Sequence, residues 1–175
     1  MDFIRLKNIN NSDWKKVFDI YKESFPKYEL RNIEDHEDAM KDDKFFCVYV
    51  KDEKKLVGII FYWEWNHFRY IEHFAVNSKL RGGRYGSRIM EKLCKEDKTT
   101  ILEIDPIVDE ISERRLVFYE RLGFVMNKFT HLHPPYKKED KGHDLKVLSY
   151  KRTIDDKEFE NFETFLENHI MKYSE

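Results

Sequence analysis

Between residues 69 and 104 the periodicity of the chain changes twice. RYIEHFAV (69–76) is rich in aromatic and β-branched residues and reads as a strand. A glycine-rich turn follows, and SRIMEKLCKED then spaces its apolar residues as a helix does, with Ile89, Met90, Leu93 and Cys94 inward. TTILEID is a strand again, stopped by Pro106. Strands joined through a helix pair in parallel and need a crossover connection. This unit forces a mixed sheet on a chain whose other strands are joined by hairpins.

The flanking elements fit that frame. Residues 2–9 read as a first strand. Ser12 or Asp13 can cap a helix whose stripe is Trp14, Val17, Phe18, Tyr21 and Phe25, ended by Pro26. NIEDHEDAMKDD is a short helix or a loop. Residues 45–51 and LVGIIFYWEW form a hairpin about DEKK. SERRLVFYERLGF is a helix carrying Leu116, Val117, Tyr119 and Leu122, with Gly123 as a left-handed stop. FVMNKFTHLH and HDLKVLSYKR read as two further strands, and DDKEFENFETFLENHIMKY as an amphipathic helix. The order predicts one α/β domain over 1–175, with a core at 3–151, a C-terminal helix at 155–173 and a mixed, mainly antiparallel sheet.

Composition narrows the function. Apolar residues make up 41% of the chain, enough for a real core and against global disorder. The 32 basic side chains nearly cancel 34 acidic ones, which argues against a nucleic-acid binder. No apolar run has the length of a membrane span, and the N-terminus lacks the apolar stretch of a signal peptide. Cys47 and Cys94 have no metal or redox spacing and suit a reducing cytoplasm.

The turn FAVNSKLRGGRYGSRIM carries the chemistry. Gly82, Gly83 and Gly86 lead into a helix starting at about Gly83, whose first amides have no partner within the helix and lie at the positive end of its dipole. A diphosphate fits there, beside Arg81 and Arg84. A tight turn without a ligand fits the same glycines. Neither GxGxxG nor GxxxxGK[ST] is present, which counts against NAD and ATP.

The segment Arg81-Gly82-Gly83-Arg84-Tyr85-Gly86 resembles the signature of the GNAT superfamily of acyl-CoA-dependent N-acyltransferases: Gln or Arg, two residues, Gly, one residue, then Gly or Ala. Ala75 and Val76 before it, the SRIMEKL helix after it and the distal ILEIDP and FYERLGF blocks match as well. Arg84 departs from the usual Gly, so its side chain must point away from the pyrophosphate or grip it. The resemblance implies a GNAT-like sheet of six to seven strands flanked by helices, with acetyl-CoA as acyl donor and no metal. It implies that the backbone at Phe74, Ala75 and Val76 binds pantetheine between splayed fourth and fifth strands. The amides of Arg81, Gly82, Gly83, Arg84, Tyr85, Gly86 and Ser87 would hold the pyrophosphate. Ser112 stands where the family often has an Asn touching pantetheine.

A primary amine has a pKa of about 10.4, so only about one in a few thousand molecules is unprotonated at pH 7. A general base or a water path is useful. Glu103, in an LEI context resembling ribosomal-protein acetyltransferases, and Glu72 are the two candidates, with a water wire as the third. Simple alternation places Glu72 on one face with Tyr70 and Phe74, opposite His73 and Ala75. The resemblance makes Tyr119 the donor to the leaving thiolate. The expected reaction is direct attack by a small-molecule or protein amine in a ternary complex; a non-catalytic acyl-CoA sensor is the alternative.

Four other features bear on the site. His131-x-His133 could be a metal pair, but no nearby Cys, Asp or Glu completes a set; a place in an acceptor pocket with Pro134, Pro135 and Tyr136 and a plain rigid Pro-Pro loop are the two readings left open. The acidic run Glu34, Asp35, Glu37, Asp38, Asp42 and Asp43 is a solvated helix face or an attractor for a cationic amine. Phe61, Tyr62, Trp63 and Trp65 exceed what one buried face needs and suit a pocket or a homodimer contact. Segments 26–44 and 130–143, which flank the expected acceptor side, carry no motif.

Overall fold

A computed structural model describes all residues, 1–175. The chain runs β1 (Asp2–Leu6), α1 (Trp14–Ser24), α2 (Ile33–Met40), β2 (Phe45–Asp52), β3 (Lys55–Trp65), β4 (Phe68–Val76), α3 (Tyr85–Leu93), β5 (Thr99–Ile104), α4 (Glu110–Arg121), β6 (Phe124–Met126), β7 (His131–His133), β8 (His143–Tyr150) and α5 (Asp156–Phe165). Short 3-10 turns cover Lys27–Glu29, Ser78–Leu80 and Met171–Tyr173, and a π turn covers Leu166–Ile170.

The sheet order is β1-β2-β3-β4-β5-β8-β6, with β7 also on β8. Every pair is antiparallel except β4 with β5, as the crossover through α3 requires. The strands number eight, one more than the pattern suggests, because the stretch after Gly123 splits into β6 and β7. Asn127 causes the break. Its buried amide donates to the Val147 carbonyl and the Ser149 hydroxyl and accepts from the Ile154 amide, pinning the chain where a continuous strand would run on.

Two cores follow from two-sided alternation. One face of the sheet packs Trp14, Val17 and Tyr21 of α1, Ala39 and Met40 of α2 and Phe162 of α5. The other packs Ile89, Met90 and Leu93 of α3 with Tyr119 of α4. The aromatic cluster of β3 is divided between them: Phe61, Trp63 and Trp65 point to the first face and Tyr62 to the second, all buried. It is core, and the expectation of a pocket or dimer contact there is corrected. The C-terminal helix docks on its own sheet. Phe162, Leu166 and Ile170 are buried there, each contributing about 1.5–3 kcal/mol, which outweighs the marginal stability of so short a helix alone.

Asp13 stands before α1 but does not cap it. Its carboxylate reaches across to Lys51 Nζ at 2.7 Å and the Tyr49 hydroxyl at 2.9 Å. Asn32 does cap α2, accepting from the Asp35 amide. Gly123, at φ +96°, ends α4 as its position suggests.

Candidate active site

The ladder between β4 and β5 stops at Ile71 and Leu102. Beyond it the two strands part, and a cavity of about 580 Å³ opens between them. A bulge sets the angle of departure. Phe61 pairs with His73 and Tyr62 with Ile71, so Glu72 is the extra residue of β4. The bulge also overturns the simple alternation. Glu72 and His73 both point to the first face, where Glu72 meets Arg31 and Trp63 and His73 meets Tyr21 and Phe25. Phe74 falls on the second face and Ala75 on the first.

The cavity gathers half of the catalytic and cofactor residues expected from the sequence. Phe74, Ala75, Val76 and Arg81 line it from β4 and the turn, Glu103 from β5, Tyr119 and Phe118 from α4, and Glu72 from the bulge. Tyr119 is buried and its phenol makes no hydrogen bond to the protein. Burial pushes that phenol up to about 12, against a smaller opposite pull from Arg115.

The glycine-rich turn forms the mouth. α3 starts at Tyr85, two residues later than the sequence suggests, with Gly82 at φ +88° and Arg84 at φ +56° before it. Arg84 therefore adopts the left-handed conformation that the usual Gly would take, with its side chain exposed. No amide from Arg81 to Ser87 donates to another backbone group, so the row is free. Gly86 lies against α4: a Cβ there would sit 3.3 Å from the Phe118 ring and 3.5 Å from Val76. Gly83 and Tyr85 complete the turn. Ser87 faces a second, shallower hollow with Arg114, Val117, Phe118 and Arg121, so the Phe118 ring stands between the two spaces.

Ser112 does not reach the cavity. Its hydroxyl accepts from the amides of Val108 and Asp109, and its own amide donates to the Asp109 carboxylate, a closed cap at the start of α4. The contact expected of it with pantetheine is corrected: Ser is consumed by the helix end.

Both carboxylates singled out as bases are engaged. The Glu72 side chain is fully buried. Arg31 Nη1 donates to its Oε2 at 2.8 Å and Nη2 lies 2.6 Å from Oε1, while Trp63 Nε1 and the Tyr136 hydroxyl donate at 2.9 Å each. Burial alone would raise the Glu72 carboxyl, but Arg31, then His73 and the hydrogen bonds, bring it down to about 2. Glu103 accepts from the Tyr70 hydroxyl and is bonded to His131 Nε2, whose Nδ1 faces Glu163 at 3.3 Å. Burial would raise the Glu103 carboxyl too; His133, His131 and Tyr70 outweigh it and hold it below the usual carboxylate range.

The rest of the cavity wall comes mainly from the two segments that carry no motif. Phe25, Pro26, Tyr28 and Glu29 line it from the α1–α2 connection, and His133, Tyr136, His143 and Leu145 from the β7–β8 region. Of the residues expected together in a pocket, His133 and Tyr136 line the cavity, and His131, Pro134 and Pro135 do not. No group of three or more His, Cys, Asp or Glu side chains is arranged to hold a metal. The acidic run does not face the cavity: its members belong to α2 and the turn after it, and Asp42 instead anchors His169 and Tyr173 of the C-terminal segment. That placement agrees with the solvated-face alternative.

A mixed sheet with one splayed parallel pair, a free strand edge and a glycine-led helix start is the arrangement that the GNAT resemblance implies. The family model described as Acetyltransferase (GNAT) family matches residues 14–124, and the chain belongs to that family. "Putative acetyltransferase YjbC" of Bacillus subtilis (strain 168) is 32% identical over 104 residues, 58% of this chain. The match covers 53% of that relative, so the chain spans about half its length. Among solved structures, "Putative acetyltransferase from GNAT family from Bacteroides thetaiotaomicron" superposes with a TM-score of 0.91 over 98% of both chains at 29% identity. An aminoglycoside 6'-N-acetyltransferase complexed with coenzyme A superposes at 0.61, over 89% of this chain and 100% of that one, with 19% identity. No helix is long and apolar enough to cross a membrane.

Proposed function

We propose that this chain transfers the acetyl group of acetyl-CoA to a primary amine by direct attack within a ternary complex. The observation that supports it most is the gap beyond Ile71 and Leu102, with a bare β4 edge on one side, Tyr119 in its wall and unpartnered amides at its mouth. Pantetheine adds to the free edge of β4 along Phe74–Val76, as an extra strand adds to a sheet. The pyrophosphate takes the amides from Arg81 to Ser87, with the Arg81 guanidinium beside it. This places the thioester carbon deep in the cavity, within reach of an amine entering past Tyr28 and His143.

Attack forms a C–N bond and an oxyanion, which an N–H of β4 stabilises. Collapse breaks the C–S bond, and Tyr119 gives its proton to the departing sulfur. A phenol held at about 12 stays protonated at neutral pH but is a weak acid, so its proton moves only as the C–S bond breaks. The tyrosinate then recovers a proton from the nitrogen that has become the amide.

Thiol release from acetyl-CoA over a panel of amines, with mass spectrometry of the products, tests the reading. A product heavier by one acetyl group is expected on at least one amine. CoA binding without thiol release on any of them would leave an acyl-CoA sensor. Absence of CoA binding would remove the reading altogether.

A further inference from the structure

Four carboxylates line the cavity: Glu29, Glu72, Glu103 and Asp105. Three are already engaged. Glu72 is held by Arg31, Trp63 and Tyr136, Glu103 by Tyr70 and His131, and Asp105 by the Arg115 guanidinium. Glu29 differs from them. Its two carboxylate oxygens accept no hydrogen bond and face no cation at ion-pair distance, although its backbone is fixed at both ends. Its amide donates to the Pro26 carbonyl at 2.9 Å, and its carbonyl accepts from His73 Nε2 at 2.9 Å. That bond ties the 3-10 turn Lys27–Glu29 to the first residue after the β4 bulge.

A base must have a free lone pair, a fixed position and access to the substrate. Resting on the acetyl transfer proposed above, we infer that Glu29 is the general base that takes the proton of the acceptor ammonium. The carboxylate removes one proton from R–NH3+, and the freed amine attacks the thioester. The second nitrogen proton leaves through tyrosinate 119 after the C–S bond breaks, and the Glu29 proton passes to solvent. Acetyl-CoA and R–NH3+ thus give the amide, CoA thiol and one proton.

The surroundings agree with that role. Burial raises the Glu29 carboxyl to about 7, with Asp105 and Glu103 adding to it and Arg115 opposing. The other ionisable groups of the wall around it are Tyr28 on its own turn, Glu72 and His73 of β4, Arg81 of the glycine-rich turn, Tyr119 of α4, and His133, Tyr136 and His143 of the β7–β8 region. His73 is brought down to about 4, first by burial, so it stays neutral and donates through Nε2. A base near neutrality accepts a proton readily and returns it to water readily.

The sign of the linkage separates function from stability. A carboxyl whose folded value lies above its unfolded one stabilises below the unfolded value and loses that contribution as pH rises through about 7. At pH 8 the ionised Glu29 therefore weakens the fold, and Glu29→Gln relieves it.

The test uses the full chain and an amine on which the wild type releases thiol. Glu29→Gln is expected to lower kcat/KM about 100-fold at pH 7.5, to leave CoA affinity by calorimetry within about two-fold, and to keep or raise Tm at pH 8. The wild-type acidic limb of kcat/KM near pH 7 disappears in this variant, and the rate then follows the amine's own ionisation. Glu29→Asp, shorter by one methylene, restores part of the rate together with the limb. A wild-type pH profile and rate in Glu29→Gln would overturn the assignment while leaving the transferase reading intact. Failure of the wild type on every amine would strike the reading itself.

Discussion

The two ends of the cavity are made of different material. At the donor end the contacts on offer are backbone groups: the bare edge of β4 after Ile71 and the amides from Arg81 to Ser87. At the acceptor end the wall is side chains brought together from distant points. Arg31 meets Glu72 across 41 residues and the Tyr173 carbonyl across 142, and Tyr136 meets Glu72 across 64. A site of amides depends on local conformation, so any side chain that permits the turn will serve. A site of side chains depends on every long-range pairing being made, so it is sensitive to single substitutions and free to change specificity between relatives.

The largest effect is expected at the buried pair that holds the acceptor wall together. Glu72→Ala leaves Arg31 charged and unpaired, which costs about 3–5 kcal/mol. For a chain of this size that is a fall in Tm on the order of 10 °C, checked by calorimetry. Because the folded Glu72 carboxyl lies below its unfolded value, the pair contributes above the ordinary carboxylate range. Its contribution fades as pH drops toward about 2, and the Tm difference between wild type and variant should narrow with it. CoA binding by the folded fraction should survive; its loss would break the division between the two ends.

Tyr119→Phe comes next. It removes a hydroxyl that no protein group uses, so Tm and CoA affinity should hold while turnover falls about 100-fold. Wild-type turnover across pH in this variant would take the phenol out of the reaction. Gly86→Asp acts on the donor end alone. It sets a like charge beside the pyrophosphate and crowds Phe118, and CoA affinity should drop about 10- to 100-fold. Unaltered affinity by titration calorimetry would put the phosphate site elsewhere. The smallest effect belongs to the α2 acids. Glu34→Gln with Asp38→Asn should leave KM for the amine unchanged and stability within about 0.5 kcal/mol. A several-fold rise in KM would return that run to the acceptor path.

This contrast in material also accounts for what could be read from the sequence. The crossover, the hairpins, the buried stripe of α3 and the glycine turn rest on spacing within single elements or between neighbouring ones, and the structure keeps them. Tyr119 and Glu103 reach the cavity because a strand and a helix flanking the gap bring them there. Ser112 looks like a ligand contact at its spacing, yet Asp109, three residues before it, completes a cap that the sequence also allows. The strand split at Asn127 depends on Val147 and Ser149, 20 and 22 residues on, and the bulge at Glu72 on an irregular pairing with β3, and no local pattern records either. Glu29 is the sharpest case. It follows a Pro by three residues in an unremarkable KYE turn, and what sets it apart is a hydrogen bond from His73, 44 residues later. The Pro26 break and the carboxylate just after it were the only local signs of a wall there.

The extra residue in β4 acts on the strand as a dislocation acts in a crystal: everything downstream of Glu72 is rephased by half a pleat. A β4 that kept all its residues but ran on without the bulge would exchange the two sides of the strand beyond Glu72. The Phe74 ring would turn toward α1 and the Ala75 methyl toward α4, so the bed prepared for a long, thin thiol arm would be filled on one side and hollow on the other. The sides that Phe74 and Ala75 present to the gap are therefore set by the irregular pairing at Glu72 and not by the alternation of the strand.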